Sequence, residues 1–172
     1  NLMYNDFVIL GPANDPANIA SAKTVYDALQ RIVANQSKFA SRGDNSGTHK
    51  AEKSLWKAAN LIIDSAANRW YLETGLGMGA TLNFAVQTNA YTLSERATWL
   101  SFANRASHKF LFQGQPPLFN QYGVVPVSNS NCPNVKHEFA QQFTDWLVSA
   151  DGQNIIASYT LNGAQLFFPN AN

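Results

Sequence analysis

Short apolar segments alternating with amphipathic helical ones predict an α/β protein whose sheet has parallel character. Three observations carry that reading. Apolar runs of strand length recur at Phe7-Val8-Ile9-Leu10, Ala90-Tyr91-Thr92-Leu93 and Phe110-Leu111-Phe112. Val25, Ala28, Leu29 and Ile32 fall on one side of a helix. Glycine and proline mark the joins, at Gly11-Pro12, Gly75 to Gly79 and Gly114 to Pro117.

The elements follow in order. Phe7 to Leu10 reads as a buried strand closed by Gly11-Pro12, and Asn14 to Asn18 is a turn-rich loop. A helix is expected from near Ser21 to Val33, and Phe39 to Arg42 is short and extended. The helix after Ser46 places Ala51, Leu55, Ala58 and Ala59 inward, with His49, Lys50, Lys53 and Lys57 outside. Trp70 to Glu73 is strand-like, and the glycine-rich stretch after it leads into a helix starting at Ala80. Ser94 is the expected N-cap of a helix carrying Trp99 and Leu100. Phe110 to Phe112 and Tyr122 to Val127 are expected strands on either side of the Gly114 to Pro117 loop. Two helices, about Val135 to Leu147 and Gly152 to Ser158, finish the chain.

With 172 residues the chain suffices for one domain or for part of a two-lobed protein. Charged residues make up only 13%, about half the usual share, and the net charge is +1. That balance argues against nucleic acid, whose recognition needs clustered Lys and Arg. No apolar run is long enough to span a bilayer. Cys132 is the one cysteine, so neither an internal disulfide nor a cysteine-based metal site is expected. The start at Asn1 reads as a mature, trimmed or fragmentary chain.

The richest stretch for chemistry is Ser41-Arg42-Gly43-Asp44-Asn45-Ser46-Gly47-Thr48. It sets a permanent cation, two hydroxyls and two glycines ahead of a helix start, where backbone N–H groups are free and the dipole is positive. Arg42, Ser46, Gly47 and Thr48 are therefore the candidate ligands of a small oxyanion. Asp44 and Ser46 also suit plain helix capping, with Arg42 paired to Asp44, although capping does not explain why a strand ends on Arg and aims it at this corner. Gly75 to Gly79 lacks the spacing of a dinucleotide loop and the lysine of a P-loop. It reads as a tight turn or as a second donor loop, with Gly79 and Thr81 facing the first. Tyr91 is a core residue or a wall of the same pocket. Asp44, Ser46 and His49 contain the residue types of a hydrolase triad, but there is no G-x-S-x-G elbow, so no catalytic residue is assigned. His108 and His137 lack ligand spacing, so no metal site is expected.

The chain resembles the tungstate-binding protein family, the substrate-binding components of tungstate ABC importers. The likeness lies in Met3 to Pro12, Ser41 to Lys50, Trp70 to Gly75, Met78 to Leu82, Ala90 to Leu93, Leu118 to Val124 and Asp145 to Leu147. It implies a type II periplasmic-binding-protein fold, α/β, with two lobes, a hinge and the anion in the cleft. It further implies that Arg42 and the Ser46 to Thr48 helix start contact tungstate or molybdate, with no enzyme activity and no other cofactor. The expected partner is an ABC transporter permease. The expected form is a monomer in the periplasm or outside the cell, matured from a secreted or lipid-anchored precursor. Members of the family begin with about half a domain more chain. The N-terminal half of the first lobe is thus expected to be missing here. Residues 5–112 would form a complete second lobe and 113–172 the returning portion of the first, with the C-terminal helices. Leu76 stands where relatives commonly carry Gln.

Tungstate and molybdate are fully deprotonated at neutral pH and only accept hydrogen bonds, so a matching site is all donors. Asp44 then orients Arg42. If Asp44 instead faces the ligand, phosphate is the better fit, because its protonated form donates. A phosphate-binding protein, or a stand-alone anion-sensing domain without a transporter, is the alternative. Nothing in the residues separates tungstate from molybdate.

Overall fold

The computed structural model describes residues 1–114 and 116–171. Gln115, in the loop expected between Gly114 and Pro117, and Asn172, at the end of the expected second region, lie outside the described residues. The chain divides into two compact units, Asp6–Phe119 and Asn1–Asn5 with Asn120–Asn172. These divisions differ from the expected boundary at 112/113, because Leu118 is fully buried with the core of the larger unit.

The larger unit is built on five strands: β1 (Met3–Gly11), β2 (Phe39–Ser41), β3 (Tyr71–Glu73), β4 (Tyr91–Glu95) and β5 (Lys109–Phe112). Their order is β3-β2-β4-β1-β5. β2 runs parallel to both β3 and β4, with Phe39 opposite Tyr71 and Tyr91. β1 is antiparallel to β4 and to β5. The sheet is therefore mixed rather than purely parallel, since β1 enters against the direction of its neighbours.

β1 shows why its apolar run is unbroken. Phe7 and Ile9 join one buried cluster, while Val8 and Leu10 join another. Successive side chains of a strand point to opposite faces, so a strand covered on both sides needs apolar residues throughout. One face packs α1 (Val25–Ala34) and α2 (Gly47–Ala58), through Val25, Ala28, Leu29, Ile32, Leu55 and Trp56. The other packs α3 (Met78–Thr88) and α4 (Arg96–Ser101), through Leu82, Ala85 and Trp99.

Several local expectations are corrected. α1 begins at Val25, because the Thr24 hydroxyl accepts the Asp27 N–H at 3.0 Å, and Ile19–Ser21 forms a separate 3-10 turn. α3 begins at Met78 rather than Ala80, with Gly77 as its cap. Ser94 is not a cap: β4 continues to Glu95, and Ser94 is buried inside the strand. Ala58 is exposed, whereas Glu52 and Trp56 face inward on α2. His49, expected outside, is 3% exposed.

At the start of α4, Arg96 donates to Asp6 Oδ1 at 2.8 Å and to Gln113 Oε1 at 2.8 Å. One guanidinium thereby ties the first residue of the larger unit to the end of β5.

In the smaller unit the start of β1 pairs with β9 (Phe168–Pro169), and β6 (Phe119–Tyr122) also pairs with β1. The strand expected to reach Val127 ends at Tyr122, leaving Val125 and Val127 exposed. Two helices follow, α5 (His137–Val148) and α6 (Ala150–Ser158), then a hairpin of β7 (Thr160–Leu161) and β8 (Ala164–Gln165). α5 buries none of its residues, and Phe139, Phe143 and Trp146 stand exposed along it. Among the described residues, the buried apolar clusters draw all their members from the larger unit.

Glu52 is the buried carboxyl of α2. Its Oε1 accepts from Trp56 Nε1 at 3.0 Å and from the Tyr71 hydroxyl at 2.6 Å. Burial pushes it above its ordinary value of 4.5, although those two hydrogen bonds pull downward. The folded chain thus prefers the neutral acid. The cost of that preference is absent below the unfolded pKa and grows as pH rises toward the folded one. Glu52→Gln is expected to match the parent at pH 4 and to melt ~3 °C higher at pH 7, the shift that ~1 kcal/mol produces at this size. Glu52→Leu is expected to melt lower at both, since the Trp56 and Tyr71 donors lose their acceptor. Circular dichroism melts at the two pH values check both. In hydrogen exchange, the amides of α5 are expected to exchange faster than those of β1, β2 and β4, because no buried side chain holds α5 in place.

Candidate anion site

Parallel pairing sets the geometry. β2 and β3 are neighbours in register, with Ser41 opposite Glu73, so the turns after them leave the same edge of the sheet. The turn after β2 leads to α2 and the turn after β3 to α3. Thr74 joins them: its N–H donates to the Ser41 carbonyl at 2.9 Å, and its hydroxyl to the same carbonyl at 3.1 Å. The hydroxyls of Thr74 and Thr81 lie 3.0 Å apart. Two helix starts are thereby fastened side by side at the carboxyl ends of parallel strands, the usual position for ligands in open α/β sheets.

Within the first turn, Gly43 takes φ +64°. A Cβ there would stand 3.0 Å from Glu73 Cβ, so both the tight approach to β3 and the left-handed backbone favour glycine at this position. Asn45 is also left-handed, at φ +58°. Ser46 caps α2, its Oγ accepting the His49 N–H at 3.2 Å.

Asp44 organises this turn. Its Oδ1 accepts the Ser46 N–H at 3.2 Å, and its Oδ2 accepts Arg42 Nε at 3.1 Å and also Arg42 Nη2. Hydrogen bonding from Ser46, then the Arg42 guanidinium, outweighs partial desolvation and holds the Asp44 carboxyl down at about 2. It is a full anion at neutral pH, with both oxygens engaged. Arg42 is thus fixed on one side, at 19% side-chain exposure, and among the described residues its Nη1 makes no hydrogen bond.

The donors at the helix starts are unengaged. Among the described residues, no hydrogen bond within the chain uses the N–H groups of Gly47, Thr48, Met78 or Gly79. A Cβ built at Gly47, Gly77 or Gly79 would meet nothing within 4 Å. Arg42, Ser46, Gly47 and Thr48 therefore share one turn, and Gly79 opens the neighbouring helix. Thr81 is fully buried, its hydroxyl also 3.3 Å from the Leu76 carbonyl, so it braces the second turn from beneath. Tyr91 lies elsewhere, in the core: its hydroxyl donates to Asp15 Oδ1 at 2.7 Å and accepts the Ala17 N–H at 2.9 Å. Two concavities of the larger unit, about 470 and 350 Å³, are lined by Gln36, Lys38 and Arg69 and by Lys53, Trp56 and Glu73 respectively, and neither touches Arg42 or Ser46.

Sequence reasoning missed Thr74, and it weighed His49 only as an outer-face residue or a triad member. His49 Nδ1 accepts the Asn45 N–H at 3.1 Å. The Ser46-x-x-His49 spacing, close to that of a reciprocal helix cap, was the available signal. Ser46 meets His49 through the backbone N–H rather than the ring, so the hydroxyl and the imidazole do not form the pair of a hydrolase. Among the described residues no cluster of His, Cys, Asp and Glu could hold a metal ion, and no helix is long and apolar enough to cross a membrane.

Comparison with known proteins follows the same outline. The PBP superfamily domain matches residues 1–151. The solved structure of the tungstate-binding protein TupA from Desulfovibrio alaskensis G20 is 44% identical, with a TM-score of 0.87 over 99% of this chain and 69% of that one. The tungstate ABC transporter structure from Geobacter sulfurreducens is 43% identical, with a TM-score of 0.78 over 92% of this chain and 66% of that one. The tungstate-binding protein TupA of Peptoclostridium acidaminophilum is 38% identical over 99% of this chain and 60% of its own length. The chain spans between 51% and 64% of the curated relatives it matches. With this sheet order, these two helix starts and this degree of likeness, the chain belongs to the TupA family of periplasmic-binding-protein-like, type II α/β domains.

Proposed function

We propose that Arg42, Ser46, Gly47 and Thr48, faced by the start of α3 at Gly79, bind a fully deprotonated tetrahedral oxyanion, tungstate or molybdate. One observation carries the reading: both oxygens of Asp44 are spent on Arg42 and Ser46, which leaves a face made only of donors. A doubly charged ion that cannot donate suits such a face. Phosphate ranks second, because its remaining proton would find no free carboxylate here. In the proposed setting the chain is the binding part of a monomeric carrier outside the cytoplasmic membrane, which hands its anion to an ABC permease and catalyses no reaction. The family membership and the names of its relatives support the tungstate and ABC-transporter parts of that setting.

Tungstate at a hundred times its Kd is expected to stabilise the protein by ~2.7 kcal/mol, and molybdate to act in the same direction. A folded sample whose melting temperature ignores both anions at millimolar concentration would sink the reading. Arg42→Ala is expected to weaken binding at least tenfold, about 1.4 kcal/mol, in titration calorimetry.

Two glycine substitutions separate folding from binding. Gly43→Ala meets a left-handed backbone and the Glu73 side chain, so a stability loss of ~1–2 kcal/mol is expected in urea unfolding. Gly47→Ala has open space around the new methyl and is expected to leave stability within ~0.5 kcal/mol of the parent while crowding the anion and lowering affinity.

A further inference from the structure

We infer that His49 is a positioning residue of this site, holding as its neutral Nε2–H tautomer the turn that sets Asp44 against Arg42 and Ser46. The inference rests on the anion-site reading above. A ring nitrogen that accepts a hydrogen bond carries no proton, and Nδ1 accepts from Asn45, so the ring proton sits on Nε2. Nε2 is buried and has no partner among the described residues. An apolar side chain would fill this place without stranding a donor. The Nδ1 acceptor is what the imidazole supplies and an apolar residue cannot.

The charges around the ring are Lys53 on its own helix, Glu73 at the end of β3, and Arg42 and Asp44 in the turn. Burial foremost, then Lys53, disfavours the imidazolium, against the pull of Glu73 and Asp44, and the net direction is below the ordinary value of 6.5. The positive end of α2 acts in the same sense.

The hydrogen bonding is a reciprocal cap displaced by one residue. In the ordinary form, the side chain of the third helical residue accepts the N–H of the cap residue itself. Here His49 takes the N–H of Asn45, one residue earlier, while its own N–H goes to Ser46 Oγ. The Ser46 N–H is thereby left for Asp44 Oδ1. That contact brings Asp44 Oδ2 to Arg42. Without the ring acceptor, left-handed Asn45 loses its anchor and the chain from Gly43 to Ser46 can relax, taking Asp44 off the guanidinium.

Asparagine imitates the Nδ1 acceptor with its Oδ1, glutamine reaches the Nε2 position instead, and leucine fills volume alone. Tungstate titration calorimetry on the parent, His49→Asn, His49→Gln and His49→Leu tests the assignment, with melts to establish that each is folded. Leucine and glutamine are expected to lose at least tenfold in affinity and asparagine less than threefold. Long-range proton–nitrogen NMR of the imidazole is expected to show the Nε2–H tautomer. A folded His49→Leu or His49→Gln that binds like the parent, an asparagine variant as weak as leucine, or an Nδ1–H tautomer would each overturn the inference. Should the leucine variant not fold, the contrast between asparagine and glutamine decides. If the parent itself takes up no tungstate, the anion-site reading fails. The tautomer, with the shift of the Asn45 amide between parent and His49→Asn, then still decides whether His49 holds the turn.

Discussion

The two oxygens of Asp44 organise the turn between β2 and α2. One accepts the Ser46 N–H and the other the Arg42 guanidinium, so the carboxylate joins a helix cap to a fixed cation. A carboxylate in that position turns its negative charge inward, toward groups it neutralises. What faces outward is the unspent half of Arg42 and the backbone donors of two helix starts. With Asp44 rotated away, the same turn would present an acceptor.

That arrangement depends on the sheet. β2 has a parallel neighbour on each side, and the turns following β2 and β3 leave from one edge. Thr74 and Thr81 fasten those turns to each other through the Ser41 carbonyl and a hydroxyl pair. β2 itself is covered on both faces, Phe39 joining one buried cluster and Ala40 another. A donor array works on a multiply charged ion only if its members stay aligned when the ligand is absent, since reorganising them at binding would cost affinity.

The smaller unit contrasts with this. Its α5 carries Phe139, Phe143 and Trp146 on an exposed face, and Gln153 donates to the carbonyls of Leu2 and Leu147. The two units therefore differ in kind: one has a two-sided apolar core, while the other packs through aromatic pairs such as Tyr4–Phe168 and Tyr122–Phe167 together with polar bonds.

Much of this was legible along the chain. Short apolar runs, the helical spacing of Val25 to Ile32, and glycines at the joins named most elements of the larger unit, because these patterns are local consequences of backbone geometry. The turn from Arg42 to Thr48 was legible as a helix cap, and the pairing of Arg42 with Asp44 is the one that plain capping also predicts. What escaped was whatever depends on a neighbour distant in sequence. β1 reads as any buried strand, and only pairing shows that it runs against β4 and β5. Helical periodicity put His49 outside, yet its ring folds back to an N–H that precedes the helix. Tyr91 sits on a strand near the site in sequence logic, but its hydroxyl serves Asp15 and Ala17. The sequence by itself determined the parts, the apolar faces and the donor-rich turn, all written in residue type and spacing. Tertiary structure alone decided which face each polar group turns to, because a hydrogen bond goes to the partner that packing brings within reach.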